Sequence, residues 1–194
     1  MFWDQKPSFE KENNMSAHKV LFQHYSDFPM VEWRWENFTP LEMACRGTGQ
    51  LMVDFEAMDD LQDLRDMLEE PIYINSAFRS QFWNAKVGGA PKSEHLKANA
   101  FDCRMANHDP RQFEAAAREC GFTSFGYYQA KSFMHIDRRA RPATWGTPWP
   151  FQTDDPAIDN APISATITPA PAKAGNFLSD AIAKAKRRRA RALR

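Results

Sequence analysis

Residues 71–105, PIYINSAFRSQFWNAKVGGAPKSEHLKANAFDCRM, decide how the chain is read. Ile72 and Ile74 alternate with Tyr73 and Asn75, the period of a strand. A turn or short helix follows from Arg79, the loop Gly88-Gly89-Ala90-Pro91 interrupts it, and order returns at residues 100–105. Within this stretch His95 is followed seven positions later by Asp102. The two glycines suit a tight turn beside those residues.

Working outward, Thr39 and Glu42 in FTPLEMAC form a capping box, with Pro40 at the first helical position where a missing N–H costs nothing. In FEAMDDLQDLRDMLEE, Phe55, Met58, Leu61, Leu64 and Leu68 recur at three- and four-residue steps, predicting an amphipathic helix with an acidic outer face that Pro71 ends. Downstream, Asp109 caps a helix with Pro110 at its first position and Gly121 as its stop, and Phe113, Ala116, Ala117 and Cys120 share one face. Short strands follow around SFGYY and SFMHID, separated by Gln129-Ala130-Lys131, and residues 140–150 read as an irregular surface segment. Helices and strands mix without a βαβ repeat, so the expectation is an α+β domain with a small antiparallel sheet flanked by helices.

The chain has 194 residues, 43% hydrophobic and 26% charged, which excludes general disorder, and no apolar run is long enough to cross a membrane. Its 25 basic residues balance 25 acidic ones, but the balance is uneven along the chain. Residues 181–194 hold Lys184, Lys186, Arg187, Arg188, Arg189, Arg191 and Arg194 and no acid, leaving 18 basic against 25 acidic residues in positions 1–180. The expected organisation is a flexible arm over 1–19, an ordered domain over 20–150, a Pro/Ala-rich linker over 151–175 and a basic tail over 176–194. Phe177 and Ile182 fall on one side of that tail if it is helical. Cys45, Cys103 and Cys120 show neither CxxC spacing nor a disulfide framework and read as small buried hydrophobes. No signal peptide is visible at the N-terminus.

Five histidines occur, at 18, 24, 95, 108 and 135. His18 and His24 carry no motif, and His108 precedes a helix cap as a loop histidine. His95, Asp102 and His135 together offer two imidazoles and a carboxylate, a set that suits a catalytic zinc with its fourth position open to water. The same residue types serve structural and surface roles equally well, so spacing alone leaves both readings open.

NSAFRSQFWNAKVGGAPKSEHLKANAFDCRM and GFTSFGYYQAKSFMHIDRRARPATW resemble the motifs of the zinc D-alanyl-D-alanine carboxypeptidases and peptidoglycan endopeptidases, peptidase family M15 in its subfamily A form, whose fold is shared with the hedgehog signalling domain. The likeness covers roughly residues 35–149. It implies one zinc ion held by His95, Asp102 and His135, with Arg79 near the substrate and Ser76 and Ser93 bordering the site; among the aromatics, Tyr128 is expected to line a substrate groove. Many relatives carry an acid three positions before the last histidine, where this chain has Ser132. Serine cannot exchange a proton usefully near neutrality. Asp137, two positions after His135, projects to the same side of its strand and is expected as the acid/base group, as the orienter of an imidazole, or as a partner of Arg138 or Arg139; Glu94 is the other acidic candidate.

The resemblance implies hydrolysis of peptide bonds in peptidoglycan by a monomer made in a host cytoplasm and acting at the cell wall, as a phage endolysin does. A non-catalytic zinc module of the same fold, binding cell wall or serving in a virion, is the alternative. The acidic body does not invite nucleic acid. The basic tail suits anionic phospholipid or lipopolysaccharide.

Overall fold

The computed structural model describes residues 18–150; the linker, the basic tail and most of the arm lie outside the described residues. In chain order the elements are β1 (Lys19–Phe22), α1 (Pro40–Met43), β2 (Leu51–Asp54), α2 (Phe55–Leu68), β3 (Ile74–Ser76), α3 (Gln81–Lys86), β4 (Ala100–Arg104), α4 (Pro110–Glu119), β5 (Ser124–Tyr128), β6 (Phe133–Asp137) and β7 (Thr144–Gly146), with 3-10 turns between some of them. Lys19, at the edge of the expected arm, opens β1 and pairs with Asp54 of β2. Among the described residues no helix is long and apolar enough to cross a membrane.

The helix boundaries follow the side chains that satisfy their free ends. Thr39 Oγ1 accepts from the Glu42 N–H at 3.3 Å while Glu42 Oε2 accepts from the Thr39 N–H at 2.9 Å, both halves of the capping box of α1. Asp109 Oδ1 accepts from the N–H groups of Arg111 and Gln112 at 3.0 and 2.8 Å, starting α4 where the sequence predicts. Helix α2 ends one residue before Glu69, which adopts the left-handed conformation with φ 55°. Gly121, with φ 100°, stands where α4 must turn into β5, a region of φ that favours glycine.

Five strands form the main sheet in the order β3-β4-β6-β5-β7. Three of its pairings are antiparallel, but β7 runs parallel to β5, which corrects the expectation of a purely antiparallel sheet and of an irregular segment over residues 140–150. A three-residue strand bounded by Pro and Gly has no readable period; its place is set by ladder contacts, including the Ala143 N–H donating to Ser124 Oγ at 2.9 Å and the Phe125 N–H donating to the Ala143 carbonyl at 2.9 Å. The β1–β2 ribbon is likewise too short to signal itself.

Alternation along the strands separates two faces. Phe101 and Cys103 of β4, Phe125 of β5, and Met134 and Ile136 of β6 enter one core cluster with Leu61 and Leu64 of α2 and Phe113 and Ala117 of α4. Each large side chain buried there stabilises the fold by about 1.5–3 kcal/mol. The residues between them, Asp102, Gly126 and His135, are thereby turned to the opposite face. All three cysteines are buried, and none of them is in a disulfide.

Candidate metal centre

Sheet register brings the site residues into one row. Asp102 stands opposite His135, His135 opposite Gly126, and Gly126 opposite Trp145, while Ser76 pairs with Asp102 from the other side. His95 comes from outside the sheet, on the 3-10 turn Glu94–Lys97, where Ser93 Oγ accepts from the His95 N–H at 3.4 Å. The turn is tied to the segment after β3 by the Arg79 N–H, which donates to the His95 carbonyl at 3.1 Å.

The outer nitrogen of each ring is committed. His95 Nδ1 lies 2.6 Å from the Ala77 carbonyl oxygen, and His135 Nε2 lies 3.0 Å from Asp137 Oδ2. Both partners are acceptors, so those nitrogens carry the protons, and His95 Nε2 and His135 Nδ1 present lone pairs inward. The two lone-pair nitrogens are 3.1 Å apart, and Asp102 Oδ1 sits 3.2 Å from the first and 2.9 Å from the second. Three acceptors converging on one point repel each other unless a cation or a proton lies between them. Ligand bonds of about 2.0–2.1 Å around a tetrahedral zinc place neighbouring ligand atoms about 3.3 Å apart, and the spacing here differs from that by only a few tenths of an ångström. A mixed nitrogen and oxygen set also suits zinc better than magnesium or calcium, which favour oxygen.

Charge at the centre is held against burial. Burial opposes charge on both rings and lowers the pKa of His95 despite the neighbouring Asp102 carboxylate; on His135 the two carboxylates, Asp102 and Asp137, outweigh burial and raise it. Burial would raise both carboxyls too, yet the contact of Asp102 with His135 and His95, with a proton between them, holds it well below the usual carboxylate range, and hydrogen bonds from His135 and Arg139 do the same for Asp137. The centre therefore presents ionised carboxylates that favour a cation.

Arg79 grips the Asp102 carboxylate. Its Nη2 donates to Asp102 Oδ2 at 2.6 Å and its Nε to Ser76 Oγ at 2.8 Å, leaving Oδ1 of Asp102 to the histidines. Arg139 holds Asp137 through Nε at 2.9 Å and Nη2 at 2.5 Å, and its guanidinium lies over Trp145, 5.1 Å from the ring centroid. The Trp145 ring is also 5.1 Å from that of His135 and donates Nε1–H to Tyr128 OH at 3.1 Å. It occupies the space a side chain at Gly126 would need: a Cβ there would meet the indole at 2.5 Å. Ser132 adopts the left-handed conformation with φ 52° at the end of the turn over residues 129–131.

A cavity of about 700 Å³ opens over this centre, and Arg79, Ser76, Ser93, Glu94, Tyr128 and Trp145 are among its lining residues. The expected ligands and bordering residues thus come together. Asp137 is fully buried, behind His135 as seen from Asp102, whereas Glu94 lines the cavity and pairs with Lys97 Nζ at 2.8 Å. The envelope-contact residues Phe177, Ile182, Lys184, Lys186, Arg187, Arg188, Arg189, Arg191 and Arg194 lie outside the described residues. Sequence reasoning left Trp145 among core or rim aromatics and gave Arg139 no part at the site beyond a possible pairing with Asp137; the empty side-chain position at Gly126, two strands from Asp102, is the signal that connects them.

A family model described as Peptidase M15 matches residues 36–137. Over 80 residues the chain is 34% identical to the zinc D-Ala-D-Ala carboxypeptidase of Streptomyces albus G, a match covering 39% of this chain and 31% of the length of that relative.

Proposed function

The chain belongs to the peptidase M15 family, and on that premise we propose that it hydrolyses peptide bonds in peptidoglycan at a single zinc ion. His95 Nε2, Asp102 Oδ1 and His135 Nδ1 would hold the ion. The observation that carries this reading is the convergence of those three acceptors, each fixed from behind by a separate partner. Zinc at such a site supplies a Lewis acid that polarises a carbonyl and acidifies water. The rest of the chemistry falls to the protein.

Ala77 and Asp137 fix the tautomer and aim of the two imidazoles, and Arg79 keeps Asp102 turned toward them. Asp137 acts here as a positioning residue, since the imidazole of His135 stands between its carboxylate and the ligand cluster. Among the described carboxylates, Glu94 and Asp102 line the cavity; with Asp102 held as a ligand, Glu94 is the one a bound peptide meets. Arg79 offers its remaining guanidinium edge to a carbonyl or carboxylate oxygen of the substrate as charge develops.

Host-cell lysis is the biological setting we assign to this activity, supported by the dense positive charge of residues 184–194, which suits an anionic envelope. The test is metal analysis of the purified protein combined with mass spectrometry of peptidoglycan after digestion. One zinc per chain and release of stem-peptide fragments support the reading. Zinc binding without cleavage would instead identify a non-catalytic binding module.

A further inference from the structure

Charge is segregated across this domain. Residues 18–150 carry 15 basic and 18 acidic side chains, a net negative body. The acids concentrate on and beside α2, at Glu56, Asp59, Asp60, Asp63, Asp66 and Glu69, and none of these lines the main cavity. The cavity wall reverses the sign: Arg46, Arg79, Lys92, Lys131 and Arg139 line it, against Glu94 and Asp102. A cleft of one sign with low-dielectric walls concentrates ligands of the opposite sign.

The cations divide by what they already hold. Arg79 and Arg139 are committed to Asp102 and Asp137. Arg46 donates Nη2–H to the Ile74 carbonyl at 3.2 Å. Lys92, in the loop after Gly88-Gly89, and Lys131, in the turn between β5 and β6, are exposed and make no ion pair among the described residues. Lysines that only needed solvation would gain nothing from a cavity wall, where each raises the repulsion felt by its neighbours. An anionic ligand removes that cost.

The geometry points to a substrate class: a peptide that bears a carboxylate away from the scissile bond, received by Lys92 and Lys131 at the cavity rim while the reacting carbonyl lies over the metal centre. This rests on the peptidase reading above and adds to it that the enzyme discriminates by charge beyond the bond it cuts. An exposed lysine–carboxylate pair contributes modestly, so the two together account for about three- to tenfold in affinity, reduced by salt.

The test uses two synthetic stem pentapeptides of one sequence, with the free α-carboxyl of the D-glutamate left as the acid in one and converted to the amide in the other. Hydrolysis and equilibrium binding of both are measured with the zinc-loaded full-length protein and with its Lys92→Gln/Lys131→Gln variant. The expected result is a KM about three- to tenfold lower for the acid than for the amide in the unmodified protein, with kcat equal, and loss of that difference in the variant, whose zinc content and amide hydrolysis are unchanged. Hydrolysis of both peptides with no charge preference, or a preference that survives in the variant, overturns the proposal and leaves the peptidase reading standing. Charge-dependent binding lost in the variant, without hydrolysis of either peptide, overturns the peptidase reading while the rim site stands. Neither hydrolysis nor charge-dependent binding overturns both.

Discussion

Asp137 Oδ2 meets His135 Nε2 at 3.0 Å, on the side of the imidazole opposite Nδ1, which faces Asp102 Oδ1 at 2.9 Å. The two carboxylates thus address one ring from its two nitrogens, one as the buried anchor and the other beside the nitrogen proposed to bind zinc. Period-two geometry puts Asp137 on the same side of β6 as His135, and the burial of Ser124, its cross-strand partner, seals it from solvent.

From this relationship, Asp137→Asn should weaken zinc binding by about 10- to 100-fold, the scale for losing an anchor behind a metal-bound histidine. With zinc saturating, kcat should stay within about tenfold of the unmodified enzyme. Competition titration with a chelator and steady-state kinetics check this together. Full zinc affinity with kcat lowered by about 10²–10⁴-fold, the scale of a lost general acid or base, would make Asp137 the proton-transfer group instead.

Arg79 spans Ser76 and Asp102 with two different nitrogens, a fork that lysine cannot reproduce. Arg79→Lys should therefore lower zinc affinity and kcat/KM about tenfold or more, the loss expected for a charge-assisted hydrogen bond worth about 1.5–3 kcal/mol. Chelator competition on the variant measures the first and peptide hydrolysis the second. An unchanged zinc affinity would show that Arg79 serves substrate alone.

Gly126 lies between His135 and Trp145 in the sheet, and a methyl group there meets the indole. Gly126→Ala should destabilise the domain by about 1–3 kcal/mol, the cost of overpacking. Thermal unfolding reads this as a fall of several degrees, and the double variant Gly126→Ala/Trp145→Ala should show less than the sum of the two single losses. Additive losses would mean that the strands part without strain at this contact.

Much of this was legible in the sequence because local chemistry dictates it. Thr39 with Glu42, and Asp109 with Pro110, announce helix starts through bonds made within three residues. His95, Asp102 and His135 stand out by residue type, and the family resemblance adds the joint role proposed for them. What stayed illegible depends on contacts distant in sequence. The parallel placement of β7 is set by bonds between residues 124–125 and 143, and the choice of nitrogen on each ring by the carbonyl of Ala77 and the carboxylate of Asp137. No periodicity encodes a tautomer. The charge reversal of the cavity was hidden for the same reason, since Arg46, Lys92 and Lys131 come from separate loops.

The central claim is that one zinc ion is held by opposite nitrogens of the two histidines. Long-range proton–nitrogen correlation NMR of the zinc-loaded protein, with each ring assigned by His95→Gln and His135→Gln spectra, tests it most directly. The account predicts a protonated Nδ1 and a metal-bound Nε2 for His95, and the reverse, a protonated Nε2 and a metal-bound Nδ1, for His135. Inverted tautomers, or rings that still titrate as free imidazoles with a full equivalent of zinc present, would contradict it.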